Sequence, residues 1–124
     1  LWSDDYKISL FQSKMGLNLS RGNPTKFYSS DRIAQLIGNG ILTFIDKKTK
    51  LNKLFSNDEV VFYKSIDDLS KKINFYSNNP VARNKVARKG QEKYLKHLNS
   101  TEIARFIIDK SMNYKSKNKY LWEQ

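Results

Sequence analysis

Three short apolar runs separated by helical patterns constrain this chain more than any other feature. They are Met15-Gly16-Leu17-Asn18-Leu19, Ile41-Leu42-Thr43-Phe44-Ile45 and Val60-Val61-Phe62-Tyr63. The second and third are nearly continuous apolar stretches, as expected of strands covered on both faces within a parallel sheet. Between the first two, Ser29-Ser30-Asp31 offers caps for a helix with the apolar stripe Ile33, Leu36, Ile37, which Gly38-Asn39-Gly40 ends. Residues 50–55, with Leu51, Leu54 and Phe55 on one side, fill the second gap. The order strand, helix, strand, helix, strand predicts the α/β class with a short parallel sheet.

Beyond the third strand the pattern is helical. Ser65-Ile66-Asp67-Asp68 opens a helix expected to face inward through Ile66, Leu69, Ile73 and Tyr76. Asn79-Pro80 reads as cap and first-turn proline of a second, with Val81, Val86, Tyr94 and Leu98 inward. Asn99-Ser100-Thr101-Glu102 is a capping box for a third, carrying Ile103, Phe106, Ile107 and Met112. The first fourteen residues predict one more helix using Tyr6, Leu10 and Phe11. Residues 1–112 form one expected domain. The basic tail, 113–124, is expected to fray unless a partner domain receives Tyr120-Leu121-Trp122.

With 124 residues the chain is long enough for a real core, and it has no cysteine, which excludes disulfides and thiolate chemistry. No apolar run approaches the ~20 residues that span a bilayer, and no signal-peptide pattern opens the chain. The expected location is cytoplasmic. A start without methionine is the start expected of a piece of something longer. Its net charge of +11 favours anions of any kind. The lysines are spread along the chain, so an ordinary solvated surface accounts for them too.

The stretch from Asn18 to Gly40 carries the most chemistry. A strand end passes into a polar loop holding Arg21 and Lys26, then into a helix opening with Ser29, Ser30, Asp31 and Arg32. Ligands of open α/β sheets bind beyond the carboxyl ends of the strands, and a helix N-terminus suits phosphate. Arg21, Lys26 and Arg32 can add charge to the same anion. An ordinary strand–loop–helix with capping serines fits the same residues, because no Walker or dinucleotide fingerprint is present. Gly38 and Gly40 flank the helix exit, where a close backbone approach or a positive φ is useful.

The segment Ser30-Asp31-Arg32-Ile33-Ala34-Gln35-Leu36-Ile37-Gly38-Asn39-Gly40-Ile41-Leu42-Thr43 resembles one in group 1 glycosyltransferases of the spore-maturation-protein type. There the pattern is Arg-x-Phe-Glu-x-x-Ala-x-Gly-x-x-x-Thr. Leu51-Asn52-Lys53-Leu54-Phe55, Asp58 to Tyr63, Ser65 to Leu69, Asn79 to Arg83 and Ala87 to Glu92 continue the likeness in order, from about Met15 to Met112. The resemblance implies the C-terminal half of a GT-B enzyme, a Rossmann-like three-layer lobe that binds a nucleotide-diphosphate sugar. It implies donor pyrophosphate binding by Arg21, Lys26, Ser29, Ser30 and Arg32, with close backbone approach at Gly38 and Gly40. Counting back from Gly40 places the family's ribose-binding glutamate at Gln35, a neutral substitute. The companion glutamate of retaining members falls at Phe27. No metal cofactor is implied, and the acceptor site and catalytic base belong to an N-terminal lobe of the same longer chain.

Other candidates read more simply. His97, the single histidine, lies near a helix end as a surface or capping group. Asp4-Asp5 and Asp67-Asp68 complement helix starts. Arg83, Lys85, Arg88, Lys89, Lys93 and Lys96 form a basic helix face, solvated or in peripheral contact with an anionic membrane. A basic nucleic-acid-binding domain is the alternative function, although no recognition motif supports it and no nucleic-acid partner is expected. A receiver-like interaction module lacks its acidic cluster, since Asn18 and Ser20 stand after the first strand.

Overall fold

A computed structural model describes residues 3–20, 22–114 and 120–123. Its centre is a parallel sheet of β1 (Met15–Asn18), β2 (Leu42–Asp46) and β3 (Val61–Tyr63), in that spatial order. Leu17 pairs with Phe44, and Phe44 in turn with Val61. Alternation along the strands sorts the core into two layers. Ile45 and Phe62 point to one face, where they meet Ile33 and Ile37 of α2 (Asp31–Gly38) and Leu51, Phe55 and Val60. Leu42, Phe44, Val61 and Tyr63 point to the other, against Leu69 and Tyr76 of α3 (Ile66–Asn78) and Val86 and Ala87 of α4 (Pro80–His97). Each fully buried Leu, Ile or Phe here contributes about 1.5–3 kcal/mol. The lobe is therefore α/β and three-layered with a helical C-terminal part, as expected.

The link from β2 to β3 is two 3-10 turns, Lys47–Thr49 and Leu51–Lys53, meeting at Lys50 in a left-handed conformation. Helix α4 begins on the α3 face and ends with Tyr94 and Leu98 packed against the α2 layer. It passes the sheet at Gly90, which lies against the Glu59 carbonyl. There Lys93 Nζ donates to Glu59 Oε2 at 2.8 Å, and the Ser56 N–H donates to the same oxygen at 2.7 Å. Burial alone would push the Glu59 carboxyl up, but these two donors outweigh it and hold Glu59 below its ordinary value. A lowered carboxylate contributes stability that is full above its unfolded pKa and is lost as pH falls through the folded one. Glu59→Gln is therefore expected to cost about 1–2 kcal/mol at neutral pH. In denaturant melts against pH, that difference should shrink as pH drops below 4.5.

Several inward assignments are corrected. Phe11, on α1 (Ser3–Gln12), is 80% exposed, while Tyr6 and Leu10 are half-buried. Ile66 and Val81 are each 81% exposed: both stand in first turns, before their helices reach the sheet. Ile73 is also exposed, and on α5 (Ser100–Ser111) so are Ile103 and Ile107, as is Met112 just beyond it. A 3.6-residue stripe marks an apolar face without saying that anything covers it. Asn79 and Pro80 do stand at the N-cap and first turn of α4, but the Asn79 side chain makes no cap bond; its Nδ2 donates back to the Phe75 carbonyl at 2.8 Å. Asn99 does cap α5, accepting from the Glu102 N–H at 3.0 Å. Tyr120 is buried, and with Trp122 it packs edge-on against Phe106 of α5. The aromatic patch of the tail is thus received within this chain.

Candidate functional site

At the carboxyl edge of the sheet, β1 delivers Asn18, and the loop after it leads into the first turn of α2. Asn18 is 1% exposed, and its Oδ1 accepts from Ser30 Oγ at 3.2 Å. Ser30 is the N-cap residue of α2, in the extended conformation such residues adopt, yet its side chain does not cap. Because the hydroxyl turns back to Asn18, the first-turn amides of α2 receive no side-chain cap. A helix start in this state concentrates N–H donors and the positive end of the helix dipole. Asn18 adds a second unsatisfied donor, since its buried Nδ2 has no partner among the described residues. Such an orphan costs about 1–3 kcal/mol unless an acceptor reaches it.

Ser29 is exposed beside this cradle. Arg32 is held in place, its Nη1 donating to the Leu19 carbonyl at 2.9 Å, which fixes the loop's departure from β1. The Phe27 N–H donates to the Thr49 carbonyl at 2.7 Å, drawing the loop over the end of β2. That bond brings Lys26 toward the lysines of the 3-10 turns. Lys26 and Lys53 both lie over the Phe27 ring, at 5.1 and 5.9 Å from its centroid. Lys47, Lys48 and Lys50 are exposed on the same turns, and Lys64 follows β3. Lys26 was expected here from the sequence; Lys47, Lys48, Lys50, Lys53 and Lys64 escaped sequence reasoning because they come from two other connections, after β2 and after β3. The parallel topology, which puts every connection after a strand on one edge, was the available signal. Burial, and the Asp46 carboxylate at the end of β2, push the Tyr63 phenol up, so this edge carries no phenolate near neutrality.

Gln35 sits one turn into α2. Its Oε1 accepts a short hydrogen bond from the Tyr6 hydroxyl of α1, and its Nε2 reaches Asp31 only at 3.4 Å. Gly38 and Gly40 are not brought to this edge. They lie at the far end of α2, about 12 Å along the axis at 1.5 Å per residue. There Gln91 Nε2 of α4 donates to the Gly38 carbonyl at 2.9 Å, and Gly40 adopts φ +69° against the Gln91 side chain. Arg21 lies outside the described residues. Half of the basic face of α4 is ion-paired: Arg88 with Glu92, Lys89 with Asp58 and Lys93 with Glu59. His97 ends α4 half-buried, on the flank that holds these last two pairs.

The arrangement can hold an anion with several oxygens: fixed amides at one point, mobile ammonium groups around it, and a carboxamide donor beneath. No curated protein and no solved structure matches the chain. A family model described as glycosyl transferase-like matches residues 1–109. With nearly the whole chain covered, from α1 into α5, this protein belongs to the glycosyl transferase-like family.

Proposed function

We propose that this chain is the donor-binding lobe of a GT-B glycosyltransferase and that the carboxyl edge holds the diphosphate of a nucleotide-diphosphate sugar. The observation that carries the reading is the uncapped start of α2 over the orphaned amide of Asn18. The amides of Ser29, Ser30, Asp31 and Arg32 surround one phosphate, and Lys26 and Arg21 add charge. Arg32 acts mainly by fixing the loop through Leu19. Gln35 retains an Nε2 donor for a ribose hydroxyl, because Tyr6 has taken its acceptor. Donors preorganised around a departing diphosphate stabilise the charge that develops when the sugar is transferred. The acceptor, a cell-surface glycan or similar, and any general base belong to the N-terminal lobe. The chain alone binds without turnover.

Calorimetric titration with UDP, GDP, ADP, CDP and dTDP, beside a mixed-sequence oligonucleotide, tests the reading. Saturable one-to-one binding of a diphosphate supports it. Steeply salt-dependent oligonucleotide binding with no nucleotide binding moves the assignment to a nucleic-acid domain. Asn18→Leu offers a second check. It deletes an unsatisfied buried donor and also the acceptor of the Ser30 hydroxyl, which stands at the N-cap and can turn to the open first-turn amides of α2 instead, so the two changes offset and the net effect on stability is small. The variant should keep its melting temperature and bind the diphosphate about tenfold more weakly, the loss of one hydrogen bond to a charged group.

A further inference from the structure

Phe27 occupies a backbone conformation that its fold does not need it to fill. Its φ is +59°, in the left-handed region where a bulky side chain is an outlier and glycine sits without strain. Lys50, next to the Thr49 carbonyl that accepts the Phe27 N–H, is left-handed too, at φ 56°. Two such residues in contacting loops mark a place where strain is concentrated, as it is at ligand sites. The phenyl ring recovers little of that strain by burial: it is 43% exposed and belongs to neither core layer. What it has instead is Lys26 and Lys53 over the ring. Both ammonium groups are exposed and make no ion pair among the described residues. Only Tyr28 and Ser29 lie between Phe27 and Ser30, three chain steps that span at most about 11 Å. The ring and the α2 cradle thus lie within the reach of one nucleotide.

We infer that Phe27 is the platform on which the nucleobase of a nucleoside diphosphate stacks, with Lys26 and Lys53 swinging from the ring to its phosphates. This rests on the donor-lobe reading and adds to it the group that holds the base. Stacking on an aromatic face is tolerant of base identity, because every base offers a π-face. The platform therefore strengthens binding of all nucleoside diphosphates without choosing among them. Strain at φ +59° is relieved in Phe27→Gly, so that variant separates a structural role from a binding one.

The test compares inorganic pyrophosphate, UDP, ADP and glucose 1-phosphate by calorimetry on the wild type, Phe27→Gly and Phe27→Tyr. The wild type should bind UDP and ADP about tenfold more tightly than pyrophosphate, the scale of one base stacked on an aromatic ring. Phe27→Gly should lose that gain, leave pyrophosphate affinity unchanged and melt no lower than the wild type. Phe27→Tyr should keep the gain. An unchanged nucleotide advantage in Phe27→Gly overturns the inference. So does pyrophosphate binding as tightly as UDP in the wild type, a result that leaves the diphosphate site standing. A Phe27-dependent gain with glucose 1-phosphate but not with UDP assigns the ring to the sugar and likewise overturns it. If none of the four ligands binds, the donor-lobe reading fails and the platform with it.

Discussion

Gly90→Ala should destabilise the protein by about 3 kcal/mol, at the upper end of what overpacking costs. A Cβ at this position would stand 2.2 Å from the Glu59 carbonyl oxygen. That atom is backbone leading into β3, so no side-chain rotation can relieve the contact, and α4 must lift from the sheet. Alanine in a helix interior gains about 1 kcal/mol over glycine, but the clash outweighs it. Lifting α4 also strains the Lys93–Glu59 bond and the packing of Tyr94 and Leu98 on the α2 layer. Gly38→Ala is the matched control. Its Cβ would meet the Tyr94 ring at 3.8 Å, an ordinary contact, so the variant should be neutral or slightly stabilised. Urea melts of the two variants distinguish a crossing point from a mere helix glycine: equal midpoints would mean that α4 does not cross the sheet at Gly90.

Asp31→Pro should weaken diphosphate binding by about 10- to 100-fold relative to Asp31→Ala while leaving α2 formed. Asp31 is the first residue of α2, the position at which a helix accepts proline because its N–H has no intrahelical partner. Proline also restricts the preceding residue to extended conformations, and Ser30 already has φ −90° and ψ 164°. The substitution therefore deletes one amide donor and little else. A hydrogen bond to a charged group is worth about 1.5–3 kcal/mol, which sets the expected range. Comparison with alanine is essential because both variants remove the Asp31 carboxylate, whose charge opposes an arriving phosphate at the same helix end. Asp31→Ala alone should bind as well as the wild type or better. Equal affinities in the alanine and proline variants would show that the Asp31 amide does not touch the ligand.

Much of the fold was legible because parallel strands advertise themselves: Leu42 to Ile45 and Val60 to Tyr63 are apolar at every or nearly every position, and only a two-sided sheet buries such runs. The faces of the outer helices were less legible. Val81 and Val86 fall on one helix, and spacing alone cannot say that the first lies beyond the sheet while the second packs on it. Gly90 did carry a readable signal, since a glycine inside a long helix costs stability and points to close packing. At the site, Ser30 was legible as a cap but not as a cap that turns to Asn18, a matter of tertiary geometry. Gln35 was legible only through the family pattern, and its engagement by Tyr6 depends on where α1 lies. Phe27 stood out as a glutamate that was absent. Its left-handed backbone and its two lysines appear only when loops from β1 and β2 meet.

The central claim, that the start of α2 receives the diphosphate, is tested most directly by titrating the isotopically labelled chain with UDP and following its amide resonances. The expected result is a set of saturating shifts at Ser29, Ser30, Asp31 and Arg32 and at the Asn18 side-chain amide, all described by one dissociation constant. Shifts confined to Gly38, Gly40 and Gln91 at the opposite end of α2, or non-saturating shifts spread over the surface lysines, would contradict it.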